Sequence, residues 1–303
     1  MIKNRRSPIV AGLSRARLRI FLLLALLALS ACNEQPTVSA VDSIPTNLKA
    51  TAEDAYRALL SERVNATGLV DYRGLRANRQ DLDRYVLSIA GLDPNAYEAW
   101  DDAKKIAFWI NAYNALTLKA IVDNYPIKKG GLISSLRFPE SSIRQIPGVW
   151  DEIRHPIMGE PMTLDQIEHE VLRKQFDEPR IHMVLVCAAM GCPPLRNEPY
   201  TGDRLDAQLT DQARRLFSDS RKFRIDRKSE TVYLSSIFKW FGADFARKYS
   251  TDEFQQASAG SRPVLNFAAR HVTPADAEYL KTQRYTVAYL DYDWSLNEEK
   301  EHG

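Results

Sequence analysis

A histidine and two cysteines fall within R-I-H-M-V-L-V-C-A-A-M-G-C-P-P-L, from Arg180 to Leu195. No other stretch of the chain concentrates reactive side chains in this way. A thiol with a nearby imidazole, oriented by an amide or a carboxylate, is a recurrent arrangement for acyl transfer and amide hydrolysis on unrelated folds. Cys192 follows Gly191 and precedes Pro193, whose ring disfavours helical backbone at the residue before it. Cys192 is therefore the favoured nucleophile. A disulfide is the competing use, because Cys187 and Cys192 have four residues between them and can be bridged across a turn if their Cβ vectors agree. Metal binding ranks below both, since C-x4-C lacks the C-x2-C pairing of common structural zinc sites. No metal and no cofactor is expected.

The residues that would orient a histidine lie elsewhere in the chain. Asn111 and Asn114 share one face of an otherwise apolar helical pattern, and buried amides are costly unless every donor and acceptor is met. Glu168 falls inside the apolar stripe Leu164, Ile167, Val171, Leu172 and Gln175, with His169 beside it nearer the edge. A carboxylate in that position is either paired, with Arg173 as the favoured partner, or has a raised pKa. The candidate catalytic set is thus Cys192, His182, Asn111, Asn114, Glu168 and His169.

The apolar run Ile181 to Cys187, interrupted only by His182, reads as a strand buried on both faces. On an extended strand His182 and Cys187 would stand about 17 Å apart, which rules out a dyad between them. His182 is expected close to Asn111, Asn114 or Glu168, with Cys192 at the mouth of the same pocket.

Around this motif, helices are expected from Ala52, capped by Thr51, to about Arg63, and from an Asn78 cap to Ser88. A long buried helix should run from Asp102 to Asn124 and stop before Pro126. Residues 126–149 read as a surface excursion, and a hairpin turns at Gly159. Thr163 and Gln166 form a capping-box pattern at the next helix. Leu205 to Leu216 is an amphipathic helix, Phe223/Ile225 and Val232/Leu234 form a hairpin, and helices begin after Ser235 or Ser236 and at Thr273-Pro274. Residues 284–294 form a closing strand. Helices and strands mix without a βαβ rhythm. The expected fold class is α+β, a helix-rich single domain around a small, largely antiparallel sheet with a buried central strand.

Lys3, Arg5, Arg6, Arg15, Arg17 and Arg19 precede the apolar decapeptide at 20–29 and the sequence L-S-A-C at 29–32. This pattern resembles a bacterial lipoprotein signal, with residues 1–31 removed and Cys32 lipidated. Ten apolar residues are too few to span a bilayer. Residues 32–47 read as a flexible tether, 48–297 as one globular domain and 298–303 as a polar tail. Without the six basic residues of the leader the charge is 35 Lys and Arg against 39 Asp and Glu, net −4. No basic stripe then remains to bind nucleic acid. The expected location is the cell envelope, lipid-anchored on the periplasmic face of the outer membrane, with an envelope peptide or protein as partner.

V-D-Y at 70–72, A-F-W-I-N-A-Y-N-A at 107–115, T-L-D-Q-I-E-H-E-V-L-R at 163–173, the motif at 180–195, L-S-S-I-F-K-W-F-G-A-D-F at 234–245 and Y-D-W-S-L-N at 292–297 resemble the family catalogued as domain of unknown function 547. The resemblance implies occurrence in bacterial exported proteins and in eukaryotic multidomain proteins, some beside glutaredoxin-like domains. It implies no particular reaction. Two functions are carried forward: a thiol enzyme acting by acyl transfer or amide hydrolysis on an envelope peptide, and a non-catalytic binding or scaffolding lipoprotein with a structural Cys187–Cys192 disulfide.

Overall fold

The computed structural model describes residues 46–300. The expected leader, Cys32 and most of the tether lie outside these residues. The first helix, α1 (Thr46–Arg63), starts earlier than expected and takes the end of the tether and Thr51 into its body. Helices α2 (Tyr72–Ala77), α3 (Gln80–Ala90) and α4 (Pro94–Glu98) follow. Asn78 closes α2 rather than opening α3, with its N–H on the Gly74 carbonyl. None of the helices among the described residues is long and apolar enough to cross a membrane.

The centre of the molecule is α5 (Asp102–Asn124). Asp101 caps it by accepting from the Lys104 N–H, and the chain leaves the helix at Tyr125, before Pro126. Its buried residues run around the whole circumference from Ile106 to Val122. Other elements therefore pack on every side of it, as a helix with no polar face requires. The excursion beyond it holds a short helix, α6 (Leu132–Arg137), and a 3₁₀ turn Ile143–Gln145. The hairpin β1 (His155–Ile157) and β2 (Glu160–Met162) turns through Met158 and Gly159, both at positive φ.

The Thr163 capping box forms as the pattern predicts, with Thr163 N–H on Gln166 Oε1 (3.0 Å) and Gln166 N–H on Thr163 Oγ1 (3.2 Å). The helix that follows is wound as a π-helix, Gln166–Leu172, and runs into α7 (Arg173–Gln175). Leu164, Ile167, Val171 and Leu172 are buried as expected, whereas Gln175 is exposed. The wider turn shifts residues beyond it off the stripe that a 3.6-residue period assigns.

The Ile181–Cys187 stretch, expected as a strand, is the main correction. It is buried but is not a strand: Pro179–Met183 is a 3₁₀ helix, and 184–187 is irregular. Pro179 supplies a helical φ at the first position and Glu178 caps the turn by accepting from the Arg180 N–H. An apolar run in a core reads the same whether it is extended or coiled, so these flanking residues decide the outcome.

After a 3₁₀ turn Gly202–Arg204 come α8 (Leu205–Ser218), β3 (Phe223–Asp226), β4 (Thr231–Leu234) and α9 (Ser236–Phe241). A 3₁₀ turn Gly242–Phe245 leads to α10 (Ala246–Tyr249), α11 (Arg262–Ala269), α12 (Pro274–Thr282) and β5 (Thr286–Tyr289). The α+β, helix-rich, single-domain architecture holds. The buried central strand of the three-stranded sheet is β4, antiparallel to β3 and parallel to β5. The closing strand stops at Tyr289, short of the expected 294, and the segment beyond folds over the cysteine loop. There Gly191 and Met190 donate to the Asp293 and Ser295 carbonyls, and Ala189 bridges Leu296. A side chain at Gly191 would press on Asp293 N and the Tyr292 ring at 3.0 Å, so the close approach needs glycine. Glu298 and Glu299 pair with Val70, carrying the fold beyond Asn297.

Candidate functional site

The imidazole of His182 is almost wholly enclosed, 2% exposed. Its Nε2 lies 2.8 Å from Asp244 Oδ2, and Nδ1 lies 3.9 Å from Glu168 Oε1. Phe241 stacks on the ring at 4.2 Å with an interplanar angle of 11°. Asp244 is itself gripped by Arg173, whose Nε and Nη2 reach its two oxygens at 2.6 and 2.8 Å. Arg173 also contacts His169 Nδ1 at 2.9 Å and lies over the Phe241 ring. The expected Glu168–Arg173 pair therefore does not form. A guanidinium fork matches a carboxylate in two parallel bonds, and Asp244 presents that geometry.

This exchange of partners sets the charge states. Burial pushes the Glu168 carboxyl up to about 7, against the opposing charge of Arg173 and a hydrogen bond from Tyr113. Burial likewise lowers His182, with Asp244 working the other way. Although burial raises Asp244, its bonds from His182 and Arg173 hold it well below the usual carboxylate range. His182 is thus a neutral imidazole near pH 7. With Asp244 ionised and accepting, the hydrogen-bond network assigns the proton to Nε2 and the free lone pair to Nδ1, which faces Glu168. A carboxyl that titrates near neutrality and an imidazole oriented by a second carboxylate are the parts of a proton-transfer site. His169, lowered first by burial and then by Arg173, and Asp165, raised by burial, stand at its edge.

Cys187 and Cys192 are joined in a disulfide. The Tyr292 hydroxyl lies 3.1 Å from Cys187 Sγ and 3.0 Å from Cys192 Sγ, and the Cys187 N–H points at Cys192 Sγ. Both cysteines, His182, Glu168 and Tyr292 line one cavity of about 200 Å³, whose walls are completed by aromatic residues including Trp150, Trp240 and Trp294. The separation expected for a strand is overturned, because a coiled segment returns Cys187 to the cavity that holds His182. Cys192 is buried, whereas Cys187 is partly exposed, the reverse of the expected display.

Asn111 and Asn114 do other work. Asn114 donates to the Val184 carbonyl (3.0 Å) and accepts from the Val186 N–H (2.9 Å). Asn111 clamps Tyr200 in the same way, at 2.8 and 2.9 Å. Each amide stands in for a neighbouring strand, satisfying a buried N–H and C=O that would otherwise be orphaned. Neither lines the cavity. Asn114 is a positioning residue for the segment between His182 and Cys187. Asn111 borders a larger cavity, about 450 Å³, lined also by Tyr56, Trp100 and Tyr200, away from the cysteines.

Asp244 and Tyr292 were not singled out in the sequence. Asp244 lies 62 residues from His182 in the chain and occupies a 3₁₀ turn after an apolar helix, so no periodicity marks it. Tyr292 follows the closing strand, where its side chain reads as one more core aromatic. The quoted motifs around both residues were the only sign of them.

Fold and site together define an α+β protein with a buried carboxyl–imidazole–carboxylate group beside a disulfide. Residues 97–216 match the family model described as "Protein of unknown function, DUF547". That segment contains Asn111, Asn114, Glu168, His169, His182 and both cysteines, while Asp244 and Tyr292 lie beyond it. No curated protein and no solved structure matches the chain.

Proposed function

We propose that this is an exported envelope lipoprotein, anchored through a lipidated Cys32 on the periplasmic face of the outer membrane, with a thiol site for acyl transfer or amide hydrolysis on an envelope peptide. The observation that carries the site is His182, fixed by Asp244 and facing Glu168, in the same cavity as both cysteines. The disulfide is the resting form. A dithiol reductant supplies two electrons and two protons to open it, and is itself oxidised to a disulfide. One thiol then loses its proton to the neutral imidazole and attacks the amide carbonyl. The leaving amine takes that proton, and water or a second amine releases the acyl group from sulfur. Greater exposure favours Cys187 as the attacking sulfur, in place of Cys192.

The test is alkylation of the intact protein by iodoacetamide as a function of pH, before and after mild reduction. One fast-reacting thiol with a midpoint below the ordinary value of about 8.5 is expected after reduction. The midpoint should rise in His182→Gln and, more mildly, in Asp244→Asn. Slow alkylation with an ordinary midpoint in the reduced protein rules the reading out. The second reading, a scaffold with a structural bridge, is favoured by the Tyr292 hydroxyl, whose single proton lies within reach of both sulfurs. It predicts a disulfide that resists mild reduction.

A further inference from the structure

Arg144, from the 3₁₀ turn Ile143–Gln145, lines the same cavity as the cysteines. Its guanidinium lies over three aromatic rings, 4.7 Å from Phe138, 5.2 Å from Trp150 and 4.7 Å from Trp294. The two tryptophans meet edge to face at 6.2 Å and hold each other in place. Arg173, the other arginine beside the cavity, is taken up by Asp244 through Nε and Nη2 and by His169 through Nη1. No carboxylate among the described residues pairs with the Arg144 side chain. Burial and the nearby charge of Arg137 both work against its cationic form. Arg144, an exposed residue, is therefore a cation in contact with three rings, and its guanidinium makes no hydrogen bond or ion pair among the described residues. A guanidinium fork fits a carboxylate, which binds two parallel N–H groups in the guanidinium plane.

We propose that Arg144 is a specificity-determining residue that binds a carboxylate of the substrate at the aromatic end of the cavity. The proposal rests on the reading of this cavity as the functional site and adds the class of substrate: a peptide bearing a free carboxylate, at its C-terminus or on an acidic side chain. The acids of the cavity, Asp165 and Glu168, come from a different element, at and just before the π-helix. Recognition of the anion and proton transfer are thus carried by separate segments.

The experiment is a titration of the oxidised, full-length protein followed by the indole N–H resonances of Trp150 and Trp294. Three probes are compared: N-acetyl-alanyl-alanine, its C-terminal carboxamide, and N-acetyl-glutamic acid α-amide. Saturable shifts are expected with at least one of the two acids. The carboxamide should bind at least roughly tenfold more weakly, the effect of one lost charge-assisted bond. Arg144→Gln should abolish the preference, and Arg144→Lys, which keeps the charge but not the fork, should restore part of it. Whichever acid binds identifies the source of the carboxylate. Equal binding of acid and amide, no saturable shift with either acid, or an unchanged preference in Arg144→Gln would overturn the proposal. Because binding is read with the disulfide closed, failure of the thiol chemistry leaves this result standing, and the converse also holds.

Discussion

Asn114 and His182 are both buried polar residues that point at groups donated by other elements, yet the structure satisfies them in opposite ways. The amide of Asn114 meets a backbone carbonyl and a backbone N–H, partners that do not titrate. His182 meets Asp244 and faces Glu168, and burial shifts the protonation of both the imidazole and Glu168. A polar group matched to backbone is complete, and its contribution should not depend on pH. One matched to ionisable side chains keeps a proton that can move. By this criterion the asparagines are architecture and the Glu168–His182–Asp244 group is the candidate site.

The largest effect should come from the architectural side. Asn114→Ala leaves the Val184 carbonyl and the Val186 N–H unpaired in the core and opens a small void, at a cost of roughly 3–5 kcal/mol. Urea denaturation should give the same loss at pH 5.5 and pH 8. A loss that varied with pH would break the contrast drawn above.

Glu168→Gln should behave in the opposite way. The folded-state pKa of Glu168 is raised from 4.5 to about 7, so between those values the folded state holds a proton that the unfolded state has released. Its burden on stability therefore grows as pH rises from about 4.5 to 7 and is complete above that range. A gap of about 2.5 units corresponds to a ceiling of about 3 kcal/mol. The glutamine variant should melt above the wild type at pH 8.5, with the advantage shrinking to nothing near pH 4.5. His182 runs the other way: its folded pKa is depressed, so its neutral form contributes stability that is lost as pH falls below about 6.5. A variant whose advantage does not change between pH 4.5 and 8.5 would show that Glu168 is not the neutral-range acid.

Opening the disulfide, by Cys192→Ser or by Cys187→Ser, should cost about 2 kcal/mol at pH 6, where the remaining thiol is protonated, since the bridge closes a short loop. The two variants should then differ only in reactivity, with the remaining thiol alkylating faster when it is Cys187. The smallest expected change is Phe241→Leu, which removes the ring stacked on His182 at a cost of about 1 kcal/mol. It should also shift the His182 ring resonances while leaving those of His271 in place. An unmoved His182 signal would mean that the stacking does not hold the imidazole.

Much of the framework was legible in order along the chain. The ends of α5 follow from an aspartate cap and a proline, the Thr163–Gln166 box from a local reciprocal pattern, and the β3–β4 hairpin from alternation. Each of these signals lies within a few residues of what it specifies. The disulfide was visible as one of three uses of Cys187 and Cys192, and Glu168 stood out as a charge inside an apolar stripe. What failed was the conformation of 181–187, because burial on all sides hides the period that separates strand from helix.

The sequence by itself determined which groups had to be buried and which could react: the asparagines on an apolar helix, the carboxyl in an apolar stripe, the histidine and cysteines in one short motif. Tertiary structure alone decided who met whom. It sent Arg173 to Asp244 rather than Glu168, brought Tyr292 onto both sulfurs, and placed Arg144 among three rings with no carboxylate partner among the described residues. Hydrogen bonds and ion pairs depend on distances of a few ångströms between residues that lie far apart in the chain. Those distances are set by packing around α5, and no local pattern encodes them.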